Sequence, residues 1–371
     1  MKVLVAGDFC PQHRVAELFE KGTFSHVLGD VKETIESADY SIVNFECPIT
    51  KGGEKPIEKI GPNLQCGESG MQAVKWTGFD CVTLANNHFL DYGEEGVKNT
   101  LETCKKYDID TVGGGLNLQE ASRILYKEIN GQTLAIINCC EHEFSIATES
   151  TAGSNPLNPI QQYYAIKEAK SNADYVLVIV HGGHEMWQLP SPRMQETYRF
   201  FVDAGADAVV NHHQHCYSGY ETYKGKPIFY GLGNFCFDKN RQMQNTWYDG
   251  YMVEISFTQQ DVKFEMLPYY NCKGNARVVL YTNEEQEGFM SIIKELNQII
   301  CKENILLERY EHYIKGEKID YLFEPYYNRI LTALYNRHLL PSLVSKRRKL
   351  LLLSYIQCES HITKVINKLR S

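Results

Sequence analysis

Short apolar runs that end in a polar residue recur along the chain as far as about Asp238. They read KVLVAGD, YSIVNFE, FDCVTLANNH, TLAIINCCE, DYVLVIVHGG, ADAVVNHHQH and PIFYGLGNF. Continuous Val, Ile and Leu runs of this length are typical of strands buried on both faces. Apolar residues between them recur at helical spacing, as at Val97, Leu101 and Cys104, and again over Arg193–Ala204. Strands that alternate with helices predict a layered α/β domain.

The pattern changes after Asp238. The segments YMVEISF and VKFEMLPYY alternate apolar and polar residues with period two, which predicts antiparallel strands covered on one face. From about Asn283 an amphipathic stripe predicts helices, and further helical stretches lie on either side of Pro341. We therefore expect a domain over residues 1–272 and a C-terminal helical region over 283–371, with the boundary near residues 272–283.

Side chains that can bind metal ions stand where the predicted strands end. They are Asp8, Asn44, Glu46, Asn87, His88, His181, His213 and His215. Each alone has an ordinary structural explanation, such as a turn, a helix cap or a hydrogen-bonded core histidine. Five separate strands that all end in such residues favour a shared site, because ligands of layered α/β proteins bind beyond the carboxyl ends of the strands.

The residue types narrow the choice of metal. Imidazole and carboxylate ligands without clustered thiolates suit zinc, manganese or iron. The set exceeds the needs of one tetrahedral ion and predicts two divalent ions with a bridging carboxylate, with the amide oxygen of Asn87 on one of them. We expect His213 and His215, two apart on an extended segment, to point the same way, and His212 to face elsewhere in a structural role or behind the ligands.

Composition and charge exclude several other classes of protein. A formal net charge of −8 argues against nucleic-acid binding by bulk charge. The 12 cysteines form no CxxC pair or regular framework, which predicts reduced thiols in a reducing compartment. We find no signal-peptide pattern and no apolar run near the ~20 residues that span a bilayer. The sequence therefore predicts a soluble cytoplasmic protein.

Five motifs, in this order, resemble a known family: GDFCP, NFECPIT, LANNHFLDYGEEGV, HGGHE and GADAVVNHHQHCYSGYETYKGKPIFYGLGNFCFD. From about Met1 to Tyr270 the chain is similar to the CapA family of bacterial capsule and poly-γ-glutamate biosynthesis proteins. That family resembles the calcineurin-like metallophosphoesterases in fold and motif order. The resemblance implies a metallophosphatase-like β-sandwich flanked by helices, with the C-terminal helical region as an extension that carries none of the motifs.

The resemblance also implies roles for the candidate residues. Asp8 would bind one metal, Glu46 would bridge both, Asn87 and His181 would bind the second, and His213 and His215 would complete the coordination. His88 would be the general acid or transition-state donor, with Asp91 orienting it. Glu185, Asn44 and Asn234 would line the site.

Two positions depart from the phosphoesterase pattern. Cys10 stands where those enzymes usually have histidine, and Glu46 stands where they usually have aspartate. Cys10 could be a soft metal ligand or a small core residue. The sequence therefore leaves open whether one metal ion or two are bound.

The leading functional hypothesis is hydrolysis of a phosphoester by a metal-activated water. The alternatives are hydrolysis of a γ-glutamyl amide, and a non-hydrolytic assembly factor that binds an anionic polymer such as poly-γ-glutamate. The expected partner is thus a phosphorylated or polyanionic small molecule or polymer.

The C-terminal region carries SKRRK followed by LLLLSYI. This is either a solvated basic face beside a buried stripe, or a contact with a membrane surface or a synthase. The tyrosines of the region could cover the mouth of the site or form a homodimer contact; they are Tyr310, Tyr313, Tyr321, Tyr326 and Tyr327.

Overall fold

The computed structural model describes residues 1–316, 328–337, 339–340 and 346–370. The described strands are β1 (Lys2–Phe9), β2 (Tyr40–Phe45), β3 (Cys81–Thr83), β4 (Asp110–Val112), β5 (Gly114–Gly115), β6 (Leu125–Ile129), β7 (Gln132–Cys140), β8 (Gly153–Ser154), β9 (Tyr175–His181), β10 (Ala208–His212), β11 (Tyr220–Tyr223), β12 (Lys226–Phe229), β13 (Asn234–Cys236), β14 (Asp249–Phe257), β15 (Val262–Asn271) and β16 (Val278–Leu280). The described helices are α1 (His13–Glu20), α2 (Phe24–Glu36), α3 (Glu68–Thr77), α4 (Gly93–Lys106), α5 (Leu118–Ala121), α6 (Pro159–Asn172), α7 (Pro192–Ala204), α8 (Asn245–Tyr248), α9 (Asn283–Ile300), α10 (Glu303–Gly316), α11 (Arg329–Asn336), α12 (Lys346–Gln357) and α13 (Glu359–Arg370).

Two sheets pack face to face. The first has the order β16-β15-β14-β1-β2-β3-β4, with β13 also paired to β1, and the second has the order β11-β12-β10-β9-β7-β6. Val5 and Ile42 of the first sheet share one buried apolar cluster with Leu177 and Val210 of the second. The outer face of the first sheet is covered by α1 to α4 and that of the second by α6 and α7. The predicted β-sandwich flanked by helices is therefore confirmed.

Strand direction follows the hydrophobic pattern. The seven runs predicted to be buried on both faces form β1, β2, β3, β7, β9, β10 and β12, each of which has a parallel partner, as expected for sheets covered by helices. The two segments with period-two alternation form the antiparallel pair β14 and β15. Because parallel strands end at the same edge, the polar residues at or just after the ends of β1, β2, β9 and β10 are brought toward one rim.

The close approach of Gly233, the residue before β13, fixes the end of β1. A Cβ atom at Gly7 would lie 2.0 Å from the carbonyl oxygen of Gly233, so a side chain cannot be accommodated there without moving the backbone. The next residue, Asp8, donates its backbone N–H to the same carbonyl at 3.1 Å. The position of Asp8 is thus set by backbone contacts.

The first compact unit, Met1–Tyr310, extends further than the boundary expected near residues 272–283. The difference lies in α9, which begins with a capping box between Thr282 and Glu285. Phe289 and Ile293 of this helix are buried in the cluster between the two sheets. An amphipathic stripe predicts a helix but does not indicate which surface the helix covers.

Replacing Phe289 with alanine is expected to lower the free energy of unfolding by about 3–5 kcal/mol, because a buried aromatic ring leaves a cavity. Its neighbour Met290 is 39% exposed, against 4% for Phe289, and Met290→Ala is the matched control, with an expected loss below about 0.5 kcal/mol. Urea unfolding followed by circular dichroism measures both. A loss below about 1 kcal/mol for Phe289→Ala would mean that α9 does not stabilise the sandwich.

The second unit begins at Glu311 and contains α11, α12 and α13. Leu350, Leu351 and Leu353 of α12 are exposed. This differs from the first of the two interpretations of SKRRK and LLLLSYI, in which the apolar residues form a buried stripe. None of the helices in the described ranges is long and apolar enough to cross a membrane. The contacts expected with a membrane surface, a synthase or a second copy of the chain stay predictions. Five residues of those predictions lie outside the described residues: Tyr321, Tyr326, Tyr327, Pro341 and Ser345.

Candidate metal centre

Polar side chains from both sheets meet at the rim where the parallel strands end. Asp8 follows Gly7 near the end of β1, Asn44 lies on β2, and His181 ends β9. The amide nitrogen of Asn44 donates to Asp8 Oδ1 at 2.7 Å and lies 3.2 Å from His181 Nδ1. All three side chains are buried. Asn44 therefore connects the carboxylate of one sheet to the imidazole of the other.

Glu46, directly after β2, is common to two groups of ligand atoms. The first group is Glu46, His181 and His213, and the second is Asp8, Glu46 and His215; within each group the ligand atoms lie within 4.8 Å of one another. Glu46 Oε1 lies 3.8 Å from His181 Nε2 and 3.6 Å from His215 Nε2. A carboxylate shared by two groups is the arrangement that a two-metal site requires.

The surroundings of Glu46 fit a cation. Its carboxylate is fully buried, and neither oxygen has a hydrogen-bond partner among the described residues. Burial, followed by the negative charge of Asp8, raises the pKa of Glu46 well above its usual value. A buried carboxylate without partners is costly unless a positive charge compensates it.

Burial shifts the pKa values of the other ligand groups toward their uncharged forms. Burial raises the pKa of Asp8 to about 7, although the hydrogen bonds from Asn44 and from the backbone of His213 lower it. Burial, followed by the neighbouring histidines, holds the pKa of His181 and of His215 well below the usual range. Neutral imidazole is the form that binds metal ions, so the residues present fit divalent cations with nitrogen and oxygen ligands.

His213 and His215 do not lie on an extended segment, so the geometric reason given for their pairing is wrong. β10 ends at His212, and His213 and His215 have positive φ angles of 91° and 54°. Such left-handed residues are uncommon outside glycine and cluster at functional sites. The turn places both imidazoles near Glu46, and their ring centroids lie 6.2 Å apart. Each of the two histidines belongs to a different ligand group.

Three further residues contact these ligands. Asn87 Oδ1 lies 3.0 Å from His181 Nε2. Asn234 Oδ1 lies 3.0 Å from His215 Nδ1, a contact in which Nδ1–H donates and Nε2 is left free to face Glu46. His212 is buried, with Nδ1 3.6 Å from Asp8 Oδ1, and neither of its ring nitrogens has a hydrogen-bond partner in the described ranges.

Cys10 and Glu185 belong to neither ligand group. Cys10 is fully buried, and its sulfur accepts a hydrogen bond from Gln12 Nε2 at 3.4 Å. Glu185 is exposed, and its charge raises the pKa values of Glu46 and His213. The structure therefore places Glu185 near the two groups, where its charge reaches them.

His88 lies in a buried chain of charged groups that the sequence did not predict in full. His88 Nδ1 lies 2.6 Å from Asp91 Oδ2. Lys59 forms an ion pair with Asp91 and lies 3.2 Å from His88 Nδ1. The backbone N–H of Leu64 also donates to Asp91, at 2.7 Å. Asp91 is thus fixed from three sides and in turn fixes the orientation of the His88 ring.

Lys59 was missed because residues 51–65 form an irregular segment without hydrophobic periodicity. Only 3% of its side chain is exposed, which is rare for lysine unless it is paired. No spacing within the segment indicates that this lysine, and not its neighbour Lys55, reaches Asp91.

Replacing Lys59 with methionine is expected to destabilise the fold by about 3–5 kcal/mol, because the carboxylate of Asp91 would stay buried without its cation. Lys55 is exposed in the same segment, and Lys55→Met is the control, with an expected change below about 0.5 kcal/mol. Adding Asp91→Asn to Lys59→Met should restore part of the loss. Urea unfolding of the metal-free proteins checks all three, and an additive double variant would argue against the buried pair.

Two more residues near the ligands come from irregular segments and were also missed. Glu143 Oε1 lies 3.9 Å from His213 Nε2, and Glu143 Oε2 accepts a hydrogen bond from Asn87 at 3.4 Å. Lys239 is partly buried, and its positive charge lowers the pKa of Glu46.

Comparison with known proteins identifies relatives by sequence. The profile of the family described as bacterial capsule synthesis protein PGA_cap matches residues 2–239. The "Capsule biosynthesis protein CapA" of Bacillus anthracis is 36% identical over 64% of this chain and 60% of its own length. The "PGA biosynthesis protein CapA" of Bacillus subtilis is 34% identical over 63% of this chain and 62% of its own length. The chain thus spans about six tenths of the length of these relatives.

Solved structures with a similar arrangement have low sequence identity. A hypothetical protein from Thermus thermophilus has a TM-score of 0.46 at 17% identity and covers 73% of this chain and 100% of its own. A phosphatase from Mycoplasma pneumoniae has a TM-score of 0.45 at 16% identity, covering 77% of this chain and 96% of its own.

Proposed function

Because the chain belongs to the bacterial capsule synthesis protein family PGA_cap, we propose that it acts in surface-polymer production as a metal-dependent hydrolase. One observation carries the proposal: Glu46 is buried, lacks hydrogen-bond partners among the described residues, and is shared by two groups of metal-ligand atoms. A carboxylate in that position serves no evident structural purpose in the protein alone.

Each residue of the centre has a task in this proposal. Asp8, Glu46, His181, His213 and His215 would hold two divalent ions of manganese, zinc or iron, with Asn87 beside them. When bound, such a pair polarises the scissile group and lowers the pKa of a water molecule. His88 donates a proton or a hydrogen bond to the leaving group. Asp91 and Lys59 hold the His88 ring in place.

A phosphoester is the substrate that we propose first, because two cations suit the oxygens of a phosphoryl group. A γ-glutamyl amide is the second candidate, and the names of relatives favour it. One relative is named for PGA biosynthesis, and another, from Mycobacterium tuberculosis and 28% identical, is a "Probable polyglutamine synthesis accessory protein". Those names also suit an assembly factor that binds an anionic polymer without cleaving it.

Elemental analysis and a substrate comparison test the proposal. The protein is stripped with chelator, reloaded with manganese and analysed, and about two equivalents are expected. The loaded protein is then assayed with bis-p-nitrophenyl phosphate and with γ-glutamyl-p-nitroanilide. Turnover of only one identifies the bond class. Metal binding without turnover of either would favour the assembly factor, and a protein that binds no metal would overturn the proposal.

A further inference from the structure

A basic recess lies beside the metal centre. Its volume is about 530 Å³, and its lining includes Arg14, Lys239, Arg241 and Lys273. Recesses of this volume are large enough to hold part of a ligand. Its charge contrasts with the acidic balance of the whole chain, which has a net charge of −8.

Of the four cations named in the recess, one forms a direct ion pair with a carboxylate. The guanidinium of Arg14 pairs with Asp238, with Nη2 2.6 Å from Oδ1. Lys239, Arg241 and Lys273, by contrast, have no carboxylate within 4.0 Å in the ranges that the structure describes. Like charges on one concave surface repel each other, and a bound anion would relieve that repulsion.

The recess adjoins the metal centre through two aromatic rings. Lys239 Nζ lies 4.5 Å from the centroid of the Phe237 ring and 4.8 Å from that of Trp247. The ring of His215, a ligand in the second group, lies 5.3 Å and 5.0 Å from the same two centroids. The two rings thus contact both the candidate metal ligand and the cation of the recess, which places the recess next to the metal centre.

We propose that the basic recess binds anionic groups of the substrate that flank the bond at the metal centre. The ligand class is an oligomeric anion, with ionised groups repeated along a chain. Carboxylates of a glutamate chain and phosphates of a polyphosphate share this chemistry. The inference rests on the proposed function for the role of the metal centre, but binding in the recess needs neither metal nor turnover. Lys239, Arg241 and Lys273 are then specificity residues.

Direct binding to the metal-free, full-length protein tests the recess. The probes are a γ-linked glutamate decamer and inorganic tripolyphosphate, and calorimetry measures the affinity at low and physiological salt. The test variant is Arg241→Gln with Lys273→Gln, both exposed residues. The control is Lys294→Gln with Lys302→Gln, which removes the same charge from exposed positions outside the recess.

We expect the test variant to bind at least about tenfold more weakly, because it lacks two of the charged groups that would donate hydrogen bonds to the anion. The control should change by less than about twofold. If the test variant loses affinity for only one of the two probes, that probe represents the class of anion that the recess binds. Equal affinity of the test variant and the wild type, or an equal loss in the control, would overturn the proposal. Because no turnover is measured, these outcomes are independent of whether the protein is a hydrolase.

Discussion

Replacing Glu46 with glutamine is expected to abolish the binding of both cations by a single change. Both ligand groups include Glu46, and each contains only two other ligands. These are His181 and His213 in the first group, and Asp8 and His215 in the second. A neutral amide cannot bridge two cations as a carboxylate does. Elemental analysis should find the metal content fall from about two equivalents to well below one. Turnover should fall at least about 10³-fold, as expected when a main electrostatic contribution is lost.

The same change should stabilise the metal-free protein. Burial raises the pKa of Glu46 in the folded state, whereas the unfolded chain has the ordinary value. Near neutral pH, above the unfolded value, folding must therefore protonate this carboxyl or bury its charge, and either lowers stability. Glutamine removes that penalty, so the Tm of the metal-free protein should rise by about 2–4 °C for each kcal/mol of unfolding free energy that is regained.

Scanning calorimetry with and without manganese distinguishes these effects. Wild type should gain stability on adding the ion, because ligands that bind the folded state stabilise it, and Glu46→Gln should not. Glu265→Gln is the control, because Glu265 is an exposed carboxylate on β15. A Glu46→Gln protein with two bound equivalents and a normal gain in Tm would refute the shared-ligand arrangement.

Replacing His88 with alanine should preserve metal binding and reduce turnover by about 10²–10⁴-fold, the usual contribution of a general acid. His88 contacts Asp91 and Lys59 but belongs to neither ligand group. The loss should depend on the leaving group. It should be large for an alkyl ester, whose alkoxide needs a proton, and much smaller for a p-nitrophenyl ester, whose leaving group is already stable as an anion.

The neighbouring residue supplies the matched comparison. Asn87 contacts the ligand His181, and Asn87→Ala should lower the metal content while lowering turnover for both leaving groups alike. Metal analysis and turnover on the two esters are measured on the same preparations. If His88→Ala lost turnover equally on both esters, His88 would not be the proton donor. Normal turnover of this variant would show that His88 has no catalytic role.

The hydrophobic pattern predicts much of the centre because parallel strands end at one rim. Asp8, Asn44, Glu46 and His181 each stand at or just after an apolar run, so locating the strands also locates these residues. The face-to-face packing of the two sheets followed from the resemblance. Periodicity alone predicts layers of strands and helices, and it leaves the partner of each face undetermined.

The remaining parts depend on contacts that local pattern does not encode. His213 and His215 reach Glu46 through left-handed residues, and a run of histidines does not reveal backbone angles. Lys59 and Lys239 lie in irregular segments, where no period indicates direction. Asp91 is far from Lys59 in sequence, and Glu46, whose pKa the charge of Lys239 lowers, is far from Lys239, so only the folded chain brings these groups together.

Lys59, Lys239 and Arg241 come from connecting segments, whereas Asp8, Asn44 and His181 come from strands. Loops accept substitutions more readily than buried strands do. Directed evolution restricted to residues 239–244, which leaves the buried Lys59 unchanged, is therefore a rational way to change which molecule this scaffold accepts while its inorganic chemistry stays intact.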